Sequence, residues 1–192
     1  MRVAIFSGSF NPIHNGHLAI AREVLAQNAA EELWFLVSPQ NPLKINGDLL
    51  PETDRLKMVE LAIEGEPEMK ASDFEFFLPS PNFTINTLEK LKSTYPQHQF
   101  KLLIGGDNFA ILDKWFNYHR ILSEFGLIVY PRAGFIFDSP AKYQNTIFIS
   151  APLFILSATV IREKLTKGES ITGMVPEKVV SFLKQHFCTP DK

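Results

Sequence analysis

Short apolar runs alternate with helical stretches from one end of this chain to the other, and that alternation limits the fold more than any other feature. "VAIF" (3–6) ends in Ser-Gly and reads as a buried strand. "GHLAIAREVLAQN" (16–28) follows, with Leu18, Ala21, Val24 and Leu25 at helical spacing. "LWFLV" (33–37) is a second strand, and a helix begins after Pro51 with Leu56, Val59 and Ile63 on one face and Gly65 as its stop. "ASDFEFF" (71–77) alternates like a third strand, and "SPNF" turns into the helix "TINTLEKLKSTY", with Leu88, Leu91 and Tyr95 facing inward. "FKLLIGGDN" (100–108) repeats the opening theme of strand, glycines and helix. "LIVY" (127–130) and "TIFI" (146–149) are further strands, and "SATVIREKLTKG" and "PEKVVSFLKQHF" are closing helices. Strands that alternate with helices imply βαβ units, a parallel sheet and helices on both faces. Right-handed crossovers then give an α/β, doubly wound, Rossmann-like fold. The 192 residues contain no internal repeat, low-complexity segment or linker, so residues 1–192 are expected to form a single domain.

Composition narrows the chemistry. Net charge is −2 and there is no basic tract, which excludes coating nucleic acid or gripping acidic membranes through bulk charge. Any phosphate must be bound by a few local groups. Cys188 is the only cysteine, so neither an internal disulfide nor a cysteine zinc site is available, and a reducing, cytoplasmic setting is expected. No apolar run approaches the roughly 18 residues of a membrane span, and "MRVAIFSGS" is too short for the core of a signal peptide. The sequon at Asn82 is accordingly read as unused.

The loop between the first strand and the first helix, "SGSFNPIHNGHL" (7–18), concentrates the polar chemistry. In open parallel sheets, ligands bind at the carboxyl ends of the strands, and this first turn is the usual phosphate site. Gly8 lets backbone approach a ligand, and Gly16 does the same at the helix start. The first helical N–H groups, with the positive end of the dipole, attract anions. His14 and His17 project from this rim, each with an N–H to offer a phosphate oxygen and each able to take up charge. The plainer alternatives are ordinary surface or core histidines, or a shared zinc ion, for which no third ligand lies nearby. The loop lacks G-x-G-x-x-G and G-x-x-x-x-G-K-[ST], which speaks against a dinucleotide oxidoreductase or a P-loop.

"GSFNPIHNGHL" resembles the H-x-G-H motif of the nucleotidylyltransferase superfamily, whose members attack the α-phosphate of a nucleoside triphosphate with another phosphate and expel pyrophosphate. That superfamily carries a second motif, I-S-x-T-x-I-R, and "LSATVIREKL" matches it through Ser157, Thr159, Ile161 and Arg162. From the residues alone, Ser157 is a good helix N-cap, and Arg162 brings a rigid fork of donors suited to phosphate. A capped amphipathic helix with a surface arginine is the plainer reading. The middle of the chain is similar to the bacterial nicotinate-mononucleotide adenylyltransferases: "PLK" (42–44), "SPNFT" (80–84) and "IGGDNFAILDKWFNYHRIL" (104–122) match their characteristic segments in order.

The resemblance implies a reaction that joins nicotinate mononucleotide to ATP, giving deamido-NAD and pyrophosphate. It implies His14, His17, Lys44 and Arg162 as catalytic groups, and ATP held by Gly8, Ser9, Phe10, His14, Gly16, His17, Gly105, Asp107, Ser157, Thr159 and Arg162. It places the mononucleotide against Asn11, Lys44, Phe83, Thr84, Trp115 and Phe116, with backbone N–H groups near Thr84 and Phe116 receiving the nicotinate carboxylate. Mg²⁺ is expected to arrive on the substrate phosphates, without protein ligands. The helices within 157–187 are expected to complete the ATP site. Read without the resemblance, Trp115 is most simply a core aromatic, although helical spacing puts Phe116 and Ile121 in the core instead. Asp107 is placed either to accept from a ribose hydroxyl or to cap a helix.

The chain departs from the family pattern at Ser7, where glycine is common, at Asn11, where aspartate is frequent, and at Leu43, where histidine precedes the lysine. Three enzyme alternatives remain: a sister enzyme using nicotinamide mononucleotide, one using phosphopantetheine (which usually carries Thr at the place of His14), and a cytidylyltransferase. A nucleotide-binding sensor without turnover is the non-enzymatic rival. His98, His119 and His186 have no constellation around them and read as surface or packing residues. The expected partners are small molecules, with no nucleic acid and no membrane; the oligomeric state is not fixed by sequence.

Overall fold

The strand β1, Arg2–Gly8, is built on four consecutive apolar residues, Val3 to Phe6, all buried. This computed structural model describes residues 1–39, 49–79, 81–135, 143–152 and 156–187. β2 (Glu32–Val37), β3 (Met69–Ser72), β4 (Gln99–Gly105), β5 (Leu127–Tyr130) and β6 (Thr146–Phe148) join β1 in one sheet of order β3-β2-β1-β4-β5-β6. Every pairing is parallel; Ile5 lies beside Trp34 of β2 on one side and Leu102 of β4 on the other. The chain steps from β1 to β2 to β3, then crosses back to β4 on the opposite flank of β1. The order therefore reverses between β1 and β4, and the crevice at such a reversal is where ligands bind in open α/β sheets.

Side chains alternate across the sheet even where both faces are buried. Ala4, Phe6 and Phe35 face one core, filled by Val24, Met58, Val179 and Leu183 from the helices α1 (Asn15–Ala26), α2 (Glu52–Ala62) and α7 (Glu177–Phe187). Val3, Ile5 and Leu102 face the other, filled by Leu88 and Leu91 of α3 (Thr84–Thr94), together with Ile121 and Phe125. Each of the larger apolar side chains contributes about 1.5–3 kcal/mol by leaving water, so both layers hold the helices to the sheet on either side of the β1/β4 crevice. Two short helices, α4 (Gly106–Phe109) and α5 (Tyr118–Arg120), lead away from β4, and α6 (Ala158–Thr166) precedes α7. No helix among the described residues is long and apolar enough to cross a membrane.

Three expectations are corrected. The stretch 71–77 is not one strand: β3 ends at Ser72, and Phe74–Phe77 form a 3₁₀ turn closed by the Phe76 amide on the Asp73 carbonyl at 2.8 Å. The inward face of α2 is Arg55, Met58, Val59 and Ala62, one register away from the expected Leu56–Val59–Ile63 stripe, although Val59 and Ile63 are buried. Beyond α4 the chain makes short turns, with Asn117 in left-handed backbone at φ 54°, so helical spacing does not govern it. Phe116 is consequently 52% exposed while Ile121 is fully buried.

Candidate active site

The loop from β1 to α1 carries two opposite backbone demands. Gly8 ends β1 where an added Cβ would sit 3.2 Å from the Phe10 ring, so the aromatic ring packs where a side chain would otherwise stand. Phe10 itself has φ 45°, a left-handed conformation that costs a non-glycine residue on the order of 1 kcal/mol. Burial offsets that cost: Phe10 is 3% exposed and meets Phe6, Phe35 and His17 edge to face at 5.2–5.6 Å. The Asn11-Pro12 bond is cis, and the loop delivers His14 to the N-cap position of α1 and His17 to its third residue.

The two imidazoles stack, with centroids 3.7 Å apart and planes within 22°. His17 Nδ1 accepts the His14 backbone N–H at 3.3 Å, which leaves the ring proton on Nε2. Burial, then the Arg132 guanidinium, pull the His14 imidazole down to about 4, against a weaker upward pull from a backbone hydrogen bond. His17 keeps some accessible surface, yet burial of its ring, then His14, then Arg132, hold it well below the ordinary histidine value. Near pH 7 both rings are neutral donors in the free protein, and added anionic charge would draw protons onto them.

The far end of the chain closes on this loop. Arg162 Nη1 donates to the Asn11 carbonyl at 2.8 Å, across 151 residues, and Nη2 lies 3.5 Å from Thr159 Oγ1. Ser157 caps α6, accepting the Val160 N–H at 3.3 Å. The segment between α6 and α7 reaches the start of α1: the Asn15 amide donates to Met174 O at 2.9 Å and its side chain to Gly173 O at 2.8 Å. That amide is therefore already occupied, so anion binding at this helix start falls more heavily on the imidazoles and Arg162 than the dipole argument alone implies. Asn11 is buried, and its side-chain oxygen accepts the Leu50 N–H at 3.3 Å, anchoring the loop.

Across the β1/β4 crevice, Gly105 is the N-cap of α4 and Asp107 lies in its first turn, so Asp107 is not the cap. A Cβ at Gly105 would collide with the Asp107 carboxylate and crowd Tyr130, which explains the glycine. Arg132 Nε lies 3.7 Å from Asp107 Oδ1, and the guanidinium lies over the Tyr130 ring at 5.2 Å. Phe83 is the N-cap residue of α3, immediately before Thr84, and its ring meets that of Phe116 at 4.7 Å. Trp115 is half-buried and packs against the core beside α3 and β4. The structure thus joins the two motif segments directly and pairs, through Phe83 and Phe116, the two segments expected to hold the mononucleotide. Lys44 and Leu43 lie outside the described residues.

Sequence reasoning passed over Arg132, Arg55 and Glu75. Arg132 follows β5 by two residues, a place that strand topology alone assigns to the carboxyl-end crevice. Arg55 occupies an inward position of α2, and Glu75 sits in the turn read as strand. Among the described residues, no group of three or more His, Cys, Asp or Glu side chains is placed to hold a metal ion.

Comparison with known proteins gives the family and the fold. The family profile described as cytidylyltransferase-like matches residues 5–164. A protein of Bacteroides fragilis named "Probable nicotinate-nucleotide adenylyltransferase" is 48% identical over 170 residues, covering 88% of this chain and 85% of its own. A protein of the same name from Bacteroides thetaiotaomicron is 41% identical over 97% of this chain and 92% of its own. Among solved structures, the nicotinic acid mononucleotide adenylyltransferase of Plasmodium falciparum complexed with NaAD superposes with a TM-score of 0.81, at 19% identity, over 96% of this chain and 95% of that one; this likeness is one of fold.

Proposed function

The chain belongs to the cytidylyltransferase-like family and, within it, to the nicotinate-nucleotide adenylyltransferases, and from that membership we propose how its own residues carry out the adenylyl transfer of NAD biosynthesis. The substrates are ATP and nicotinate mononucleotide. A phosphate oxygen of the mononucleotide attacks the α-phosphorus of ATP, the bond from that phosphorus to the bridging oxygen breaks, and pyrophosphate leaves. The nucleophile is ionised at neutral pH, so no general base and no covalent enzyme intermediate are needed. Catalysis is then alignment of two anions and stabilisation of charge that grows on the phosphates.

The observation that carries this reading is the stacked, neutral His14–His17 pair joined to Arg162 through the Asn11 carbonyl. His17 Nε2–H, His14 and the Arg162 fork donate to the triphosphate, with Lys44 as a further cation and the Ser157-capped start of α6 as a second anion site. Gly8, Ser9, Phe10, Gly16, Gly105 and Thr159 line the ATP side, and Asp107 accepts from the ribose. ATP-using nucleotidyltransferases typically need a divalent metal. Mg²⁺ would enter as the ATP complex: the groups proposed for the triphosphate are imidazole and guanidinium, which suit phosphate oxygens rather than a hard cation, and the one carboxylate of the site, Asp107, is assigned to the ribose. Residues 1–192 act as one domain in which the helices within 157–187 complete the ATP site.

The mononucleotide ring lies at Phe83, Trp115 and Phe116, with its carboxylate on the backbone N–H groups of Thr84 and Phe116. Backbone donors satisfy a carboxylate, whereas a carboxamide brings N–H groups of its own and leaves them unpaired, so the acid is preferred. Pyrophosphate release from MgATP, compared with nicotinate mononucleotide and nicotinamide mononucleotide, tests the assignment. We expect at least a hundredfold higher kcat/KM for the acid. Equal use of the two would remove the carboxylate pocket, and no release with either would leave a nucleotide-binding sensor.

A further inference from the structure

Two buried charges beside the phosphate loop have no part in the mechanism above. Arg55 is fully buried, and all four of its hydrogen bonds go to backbone carbonyls: Nε to Leu50 at 2.9 Å, Nη1 to Ser9 and Ser38 at 2.7 Å each, and Nη2 to Pro39 at 2.8 Å. Glu75, 5% exposed, accepts only hydroxyls: Ser7 at 3.2 Å, Ser38 at 2.5 Å and Thr87 at 3.2 Å. The two charges meet on Ser38, the cation on its carbonyl and the anion on its hydroxyl. Thr87 also lies 3.2 Å from Asn82 Oδ1. Hydrogen bonds therefore run from Ser9, through Arg55, Ser38 and Glu75, to Thr87 in the first turn of α3, whose single hydroxyl proton is shared between Glu75 and the Asn82 side-chain oxygen.

The ends of that line are informative. Ser9 lies between Gly8 and Phe10 in the ATP loop, and Asn82 immediately precedes Phe83 and Thr84 of the mononucleotide segment. Buried charges are poor devices for stability, because well-packed apolar residues of similar volume do as well or better. They are good devices for fixing geometry, since each donor and acceptor accepts little displacement before a charge is left unsatisfied. We propose that Arg55, Ser38, Glu75 and Thr87 are positioning residues that hold the ATP loop and the mononucleotide segment at one separation, so that two independently bound substrates meet in line. This rests on the adenylyl-transfer reading of the site. Ser7, the family departure from glycine, adds a donor to Glu75 and tightens the same line.

The split between binding and chemistry tests the proposal. In Ser38→Ala, Glu75→Gln and Thr87→Val, each half-site keeps its own contacts, so the Kd for MgATP and for the mononucleotide should each stay within about threefold of wild type. The single-turnover rate per occupied site should fall about tenfold in Ser38→Ala and about a hundredfold in Glu75→Gln, the loss that a misplacement near 1 Å brings. Thr87→Ser should restore the rate lost in Thr87→Val. Rates per occupied site equal to wild type, with only the melting temperature or the active fraction lowered, would overturn the proposal and leave a structural network. Ser38→Ala removes a single hydroxyl from a half-buried site and carries the test if Glu75→Gln fails to fold. All variants are read with whichever mononucleotide the wild type uses best, so a wrong acceptor assignment appears in the wild type and a wrong positioning assignment only in the variants.

Discussion

His17 is fixed by three neighbours at once: the His14 amide on Nδ1, the His14 ring on one face, and Phe6 and Phe10 at its edge. A donor held this firmly reorganises little when charge develops on a phosphate oxygen, which is the condition under which one hydrogen bond is worth most. His17→Ala is therefore expected to lower kcat about 10²–10³-fold with little change in fold; a folded variant within a few-fold of wild type would remove His17 from the mechanism. His14 adds a consequence for stability. Its folded pKa of about 4 lies below the ordinary 6.5, so the unfolded chain binds more protons between those values. Stability then rises with pH across that window and is lost as pH falls through it, by about 3 kcal/mol for this group alone. His17 acts in the same direction. Urea unfolding at pH 7 and pH 4.5 should show a clearly smaller acid loss for His14→Asn than for wild type; an equal loss would mean that other groups dominate acid unfolding.

At the scale of the element, apolar runs were easy to read and polar reasons for structure were not. β1, β2, β4 and β5 coincide with continuous apolar runs because parallel strands covered on both faces bury nearly every residue. α6 was legible from Ser157, since a hydroxyl at the N-cap answers a local need of the backbone. The turn at 74–77 is not legible, because the Asp-Phe-Glu-Phe alternation fits a strand until Glu75 is known to be a buried acceptor for three hydroxyls contributed by residues 37 and 68 positions away in one direction and 12 in the other. The register of α2 is hidden for the same reason: Arg is almost never fully buried, so an apolar stripe omits Arg55 although Met58, Val59 and Ala62 stand at its helical spacing. Phe116 was assigned to a helical core that Asn117, in left-handed backbone, prevents. Of the candidate site, the two motif segments stand out in the sequence one by one, while the contact between Arg162 and Asn11 depends on sheet order and crossover packing, which no local pattern encodes.

At the scale of the whole molecule, the two motifs lie at opposite ends of the chain and meet at the β1 end of the crevice where the strand order reverses, through the bond from Arg162 of α6 to Asn11 of the first loop. A ligand that touches both bridges residues 8–17 and 157–162, so its binding should act on the stability of the entire chain. MgATP at about 100 times its Kd stabilises by about 2.7 kcal/mol, which for a chain of this size raises Tm by about 5–10 °C. On the proposed reading Arg162 donates to the phosphates, so Arg162→Ala should remove one charged donor, worth about 1.5–3 kcal/mol of that binding. Its own Tm without ligand should fall only slightly, because Arg162 is half-buried and its one strong protein bond, at 2.8 Å, is to a carbonyl. With the same MgATP concentration the gain in Tm should shrink to half or less of the wild-type gain, measured by thermal unfolding in parallel. A full gain in the variant would separate α6 from the ATP site and leave the Arg162–Asn11 bond as a purely structural closure of the first loop.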